Sequence, residues 1–344
     1  MIKILTIAFA ILALASCSVS DTDTQDTPTS TSTPTSTWED LSKRPKPEAI
    51  TQTPWSEVII GVPSFEDVPR LFTKIGGFET VKRTETEWVL RALGSDSGYV
   101  RFKRVDENAV LTRPFGSRSW DTGCYFSVMM RAKNLSSIIT DAEALGWKPL
   151  TEMAYLEFGS SKLNIVVLTH KKTGIQIQLY ERLTTPLPEG FTPFERLSRP
   201  FNVMQMVESR DTAYAFFRQG LGFDKFYFGK PTVSETPEVS PIGIPKGLTT
   251  SIAYHAGIAT PKSGLEWGRV EMIQVDMEAG KNLADQCLPS NIGITDIRFD
   301  VENLKDTASR LDARNIRYHQ DGDSLRVKTP DGANISFYAS GKTR

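Results

Sequence analysis

The chain offers little of the imidazole and thiol chemistry on which many enzymes rely: of its 344 residues, three are histidine and three are cysteine. His170 lies near a turn before Gly174, and His319 sits beside the polar turn Gln320-Asp321-Gly322. His255 falls in the alternating run Ile252-Ala253-Tyr254-His255-Ala256-Gly257-Ile258. It alone occupies a middle strand that can aim a side chain into a cavity, where imidazole transfers protons near neutrality. The competing reading is a strand histidine satisfied by its neighbours. Cys124 and Cys287 read either as a disulfide or as two buried, small, apolar side chains. No CxxC, HExxH or GxSxG motif occurs, so redox-dithiol, zincin and serine-hydrolase chemistries have no signature here.

The third cysteine has a different context. Lys3 precedes a mostly apolar run, Ile4 to Ala15, which is shorter than the roughly 20 residues needed to span a bilayer and reads as an export signal. It ends in Leu14-Ala15-Ser16-Cys17, which resembles the lipobox of bacterial lipoproteins. That resemblance implies cleavage before Cys17, acylation of its thiol and amine, and a lipid-bilayer anchor firmer than a single chain provides. Ser18 in place of Asp implies the outer membrane, with the body on the periplasmic face. Residues 18–50, rich in Ser, Thr, Asp and Pro, cannot bury a core and read as a disordered tether. The formal net charge of −1 and the lack of any basic stripe argue against a nucleic-acid partner. No protein partner is legible.

The elements beyond the tether repeat. Val58-Ile59-Ile60-Gly61-Val62 leads into Phe65 to Phe72 and then Gly76-Gly77-Phe78. Val203-Met204-Gln205-Met206-Val207 leads into Arg210 to Phe217 and then Leu221-Gly222-Phe223, with the same interval from strand end to Phe. Variant copies follow: Ser127 to Ala132 with a helix pattern and Leu145-Gly146-Trp147, and Asp296 to Val301 with a helix pattern and Arg314-Asn315-Ile316. Four modules emerge, each a strand, an amphipathic helix ended by a left-handed Gly or Asn, and short strands. Residues 229–250 form an insertion in the third, rich in Pro, with Ile242 and Ile244 as apolar anchors. Such a loop is expected to act as a lid over a cavity, or else as a surface for a partner.

This unit, most specifically Phe217-Arg218-Gln219-Gly220-Leu221-Gly222-Phe223 and Thr329-Pro330-Asp331-Gly332, resembles the vicinal oxygen chelate superfamily. Glyoxalase I, bleomycin-resistance proteins and extradiol dioxygenases belong to it. The resemblance implies an α+β fold: four βαβββ modules paired into two half-closed mixed-sheet barrels. By proximity in sequence the pairs are expected as a first domain, 51–186, and a second, 199–344, joined by a linker, 187–198, after the signal, 1–17, and the tether, 18–50.

In the family a divalent metal is held from each module's first and last strands. The matching residues of the first domain are Glu57, Ser127, Arg101 and Gln178, of which only Glu57 is an ordinary ligand, and Arg101 would repel a cation. This set is expected to be a polar, ligand-binding lining. In the second domain they are Asn202, Asp296, Glu271 and Ser336. The implied metal is an oxygen-preferring divalent ion on Glu271, Asp296 and Asn202. Without metal, Glu271 and Asp296 are expected to share one cavity as base and partner, or to serve in hydrogen bonding. The resulting expectation is an exported protein binding a small organic ligand in its second domain. The alternatives are a lyase, isomerase or dioxygenase using Glu271, Asp296 and His255, and a non-catalytic envelope scaffold.

Overall fold

The computed structural model describes residues 39–158, 160–184, 186–187 and 191–340. The signal, Cys17 and the tether up to residue 38 lie outside the described residues.

All four modules are present. Module 1 contains β1 (Glu57–Val62), β2 (Glu79–Arg83), β3 (Glu87–Arg91) and β4 (Tyr99–Arg104). Module 2 contains β5 (Tyr125–Ala132), α1 (Leu135–Glu143), β6 (Trp147–Pro149), β7 (Ala154–Phe158), β8 (Ser161–His170) and β9 (Gln176–Arg182). Module 3 contains β10 (Asn202–Met206), α2 (Arg210–Ala215), β11 (Asp224–Phe228), β12 (Tyr254–Thr260) and β13 (Arg269–Val275). Module 4 contains β14 (Gly293–Val301), α3 (Leu304–Asp312), β15 (Tyr318–Asp321), β16 (Ser324–Lys328) and β17 (Asn334–Ala339).

The repeated punctuation has a backbone cause. Gly77, Gly146, Gly222 and Asn315 have φ of 73°, 86°, 77° and 55°, the left-handed turn that Gly and Asn tolerate best. Each delivers the next side chain inward: Phe78, Trp147 and Phe223 are buried and Ile316 is half-buried. Modules 1 and 3 share a departure from a simple helix. Their helices end in wide π-turns, Leu71–Ile75 and Phe216–Gly220, closed by Gly76 N and Leu221 N donating to Leu71 O and Phe216 O at 2.9 Å. The extra residue turns the chain so that Phe78 N and Phe223 N reach Phe72 O and Phe217 O.

The pairing of modules corrects the expected domains. One sheet has the order β15-β16-β17-β14-β1-β4-β3-β2, and the other β11-β12-β13-β10-β5-β9-β8-β6, with β7 on β8. Module 1 therefore pairs with module 4, and module 2 with module 3. The first strands meet antiparallel at the centre of each sheet, β1 with β14 and β5 with β10, and both seams carry a register shift, at Ile59/Ile60 and at Met204/Gln205. Any first strand suits any other, so the connections decide. Residues 183–201 keep the chain within one sheet: Lys133 N donates to Arg196 O, and Ala132 bridges Leu197. The two segments that pass between sheets run together instead, bridged at Leu111 to Ile292 and Thr122 to Asn282 and joined by a Cys124–Cys287 disulfide.

Side chains alternate across each strand. Val58, Ile60 and Val62, with Ile297, Phe299, Val128, Met130, Val203 and their neighbours, enter one core shared by both sheets. Their alternates line the two concave faces. The tether also ends earlier than expected. Leu41, Ala49 and Ile50 are buried, Ile50 N donates to Leu221 O, and Arg310 and Arg314 donate to the carbonyls of Glu48, Ala49 and Ile50. Residues 39–50 are thus a strap across modules 3 and 4, held by a few apolar anchors within polar sequence.

Candidate functional site

The eight residues assigned to family positions fall into two groups of four, one per sheet, regrouped by the pairing. Glu57, Arg101, Asp296 and Ser336 share the concave face of modules 1 and 4. There the Glu57 carboxylate accepts from Arg101 Nε and Nη2, both at 2.9 Å, and Arg101 Nη1 donates to Glu87 at 2.9 Å. Arg298 lies 3.7 Å from Glu57, bonds Asp300 and stacks over Tyr338 at 4.1 Å. Ser336 Oγ donates to Asp296 at 2.5 Å, and Arg326 stands 3.7 Å from the same carboxylate. Burial pushes the Asp296 carboxyl up to about 7, against the lowering effect of Ser336 and Arg326. This face carries its own counter-ions.

Ser127, Gln178, Asn202 and Glu271 share the concave face of modules 2 and 3. Asn202 Nδ2 donates to Glu271 at 3.0 Å and contacts Met129 Sδ at 3.1 Å, while Asn202 Oδ1 is buried without a hydrogen-bond partner. The surroundings are apolar: Phe126, Met129, Phe201, Met204 and Ile273 cluster there, with Tyr180 and Tyr254 packed against them. Burial pushes Glu271 up to about 7, opposed only by the Asn202 hydrogen bond, so near neutrality much of it is a neutral acid. Burial, and then the charge of Glu271, also hold the Tyr180 hydroxyl well above its usual range. The insertion covers this face as expected of a lid. Ile242 and Ile244 are buried in the same cluster, Gln178 Nε2 donates to Pro241 O at 2.7 Å, and Ser119 Oγ bonds Ile242 O.

Two expected assignments fail. Glu271 and Asp296 stand in different sheets, so they form neither a carboxylate pair nor, with Asn202, a metal set. Guanidinium groups flank Glu57 and Asp296 where a cation would sit, Glu271 faces the NH2 of Asn202, and no group of three or more His, Cys, Asp or Glu gathers among the described residues. These residues do not fit the divalent ion that the resemblance implied. His255 is the second failure. Tyr254 and Ala256 pack into the chamber, so strand alternation turns His255 to the opposite face, where its Nε2 meets Asp276 at 2.9 Å.

A feature not anticipated from the sequence lies at the mouth of the second half-barrel. A cavity of about 310 Å³ opens where β5 and β9 end, lined by Arg131, Lys133, Tyr180, Arg182, Leu187 and Phe194 among others. Reading two residues at a time from the assigned positions would have found it: Ser127, Met129, Arg131 and Gln178, Tyr180, Arg182 are the same faces of β5 and β9.

No family model matches the chain, and no curated protein matches it. Among solved structures, glyoxalase I from Zea mays is similar, with a TM-score of 0.54 at 11% identity over 83% of this chain and 92% of that one. A mutant form of the same maize enzyme gives 0.55 with the same identity and coverage. Agreement over most of both chains with so few shared residues is a likeness of architecture, and the paired modules and concave sheets seen here therefore constitute the vicinal oxygen chelate fold.

Proposed function

We propose that this protein is an exported, lipid-anchored binding protein of glyoxalase-like fold that takes a small organic anion in the half-barrel of modules 2 and 3. The observation that carries the reading is the state of Arg131 beside the 310 Å³ cavity. Its guanidinium lies 4.9 Å from the rings of both Phe191 and Phe201, its Nε has no hydrogen-bond partner, and no carboxylate among the described residues is within ion-pair distance. Burial first, and then the like charges of Arg182 and Arg269, push it down to about 10. Lys133 adds a further cation, 5.0 Å over Phe194. Glu266 offsets the Arg131 charge in part from beyond ion-pair distance. An entering carboxylate would meet the guanidinium directly, and its apolar body would lie along Leu187, Phe194 and Tyr180 toward Asn202 and Glu271.

Titrating the protein with benzoate and with its neutral isostere benzamide tests the reading. Benzoate is expected to bind at least about tenfold more tightly, and Arg131→Met to abolish the difference. Equal binding of both compounds, or benzoate binding indifferent to Arg131, rejects anion recognition. Absence of binding would favour a scaffold whose chamber is permanently closed.

Export is supported by the Cys124–Cys287 disulfide, since such bonds persist in oxidising compartments. Anchoring at the periplasmic face of the outer membrane rests on Leu14-Ala15-Ser16-Cys17 and Ser18. The wild-type protein should sediment with membranes and carry acyl mass on Cys17, whereas Cys17→Ser should be released or stalled. Wild-type protein recovered unacylated in the soluble fraction would reject the anchor.

A further inference from the structure

The inner end of this half-barrel is filled by the protein itself, in a manner that describes a ligand. The equivalent connection in module 1, between β2 and β3, is the short turn 84–86, whereas module 3 spends residues 229–253 between β11 and β12. Only part of that excursion enters the fold. Ile242 and Ile244 are 5% and 1% exposed, while most of residues 230–239 and Lys246 and Gly247 are partly or fully exposed. A tight turn aims the tip inward: Gly243 N donates to Ser240 O, and Gly243 has φ of 82° with Leu150 only 2.9 Å from where a Cβ would stand. The tip meets its surroundings through two directional bonds, Gln178 Nε2 to Pro241 O on the chamber side and Ser119 Oγ to Ile242 O, and through two branched aliphatic side chains. Beneath it remain Asn202 Oδ1, without a partner, and the Glu271 carboxyl.

An amide carbonyl on a buried Gln donor, flanked by branched alkyl groups in an apolar and aromatic chamber, is what a bound acyl compound would present. We infer that Pro241–Ile244 is a built-in stand-in for ligand, and that the inner chamber takes an aliphatic amide or N-acyl compound whose carbonyl accepts from Gln178 Nε2 and whose branched alkyl group replaces Ile242 or Ile244. The inference rests on the half-barrel of modules 2 and 3 being the ligand site, and adds the chemical class of its inner half. The tip leaves as the ligand enters. Its occupancy lowers apparent affinity by the fraction of molecules in which the chamber is filled. With a carboxylate at the mouth, such a compound is an N-acylated amino acid or short peptide.

The probe is N-acetyl-prolyl-isoleucinamide, a neutral copy of the tip, added to the full chain and followed by hydrogen exchange. Binding should speed exchange at the amides of Ile242 and Gly243, and Ile244→Ala should bind the probe about tenfold more tightly than wild type because the competing tip is weakened. Binding that leaves those two amides unchanged in wild type overturns the inference, even if Ile244→Ala binds, since a vacated apolar space can accept small molecules unaided. No binding to either protein at millimolar probe overturns it as well. Benzoate separates the two levels: if its Arg131-dependent binding persists, the inner subsite alone is wrong, and if it too is lost, the half-barrel is not the ligand site.

Discussion

The two half-barrels are built on one plan and differ in what they do with a buried carboxyl. In modules 1 and 4, Glu57 is clamped by Arg101, with Arg298 nearby, and Asp296 has Ser336 and Arg326. In modules 2 and 3, Glu271 has one amide partner and otherwise aromatic and aliphatic neighbours. The first arrangement pairs Glu57 closely with arginine, while Asp296, also raised to about 7 by burial, has Ser336 and the more distant Arg326. The second leaves Glu271 with no cation at ion-pair distance among the described residues, sets Arg131 and Lys133 over aromatic rings at the rim, and covers the centre with the tip of the insertion. Equivalent backbone positions therefore serve cohesion in one sheet and recognition in the other, and the assignment follows from where the arginines stand.

The largest effect that would break this contrast concerns Arg101. Its side chain is 7% exposed and that of Glu57 is 0% exposed, so Arg101→Met removes both charge-assisted bonds from a buried carboxylate and is expected to cost about 3–5 kcal/mol in urea unfolding. Adding Glu57→Leu should restore much of the loss, because the pair is removed together. A cost below about 1 kcal/mol for Arg101→Met would mean that this sheet does not depend on its internal ion pair.

A somewhat smaller effect sharpens the other side. Glu271 is raised by burial from its ordinary 4.5 to about 7, so the folded state holds its proton more tightly than the unfolded chain. Its contribution to stability is full below about pH 4.5 and is lost as pH rises through about 7, a change of about 3 kcal/mol. Urea unfolding across that window should show wild type weakening with pH and Glu271→Gln weakening less. The residual slope belongs partly to Asp296, raised from 3.8 to about 7 for the same reason, and Asp296→Asn should reduce it, leaving the share of Asp331, which burial raises to about 6. Identical slopes in wild type and Glu271→Gln would show that the Glu271 chamber is wetter than its neighbours suggest.

Local pattern was enough to locate the modules and, through the family resemblance, all eight concave positions, since strand alternation and the left-handed residues at 77, 146, 222 and 315 are written in short segments. The groups of four were not legible. Val58 to Val62, Val203 to Val207 and the other first strands are chemically interchangeable at a seam, so proximity in sequence suggested partners that the connections exclude. Glu271 and Asp296 were joined by that mistake. The strap 39–50 was missed for a related reason: its composition is that of a linker, and its docking depends on Leu41, Ile50 and carbonyls held by arginines from far along the chain. Ile242 and Ile244 were readable as anchors because two branched apolar residues in a polar, Pro-rich loop have little other use.

The order in which modules pair has a consequence for how the protein is made. Modules 2 and 3 are neighbours in the chain and close like an inner bracket, whereas module 1 must wait for module 4, the last to emerge, to close the outer one. Until then β1 lacks its neighbour β14, and an unpaired strand edge that is wholly buried in the finished fold invites association with other chains. A polypeptide nested in this way can close its inner bracket during synthesis, but completes the outer one only after module 4 has emerged. Once both brackets have shut, the Cys124–Cys287 bond seals the crossing between them.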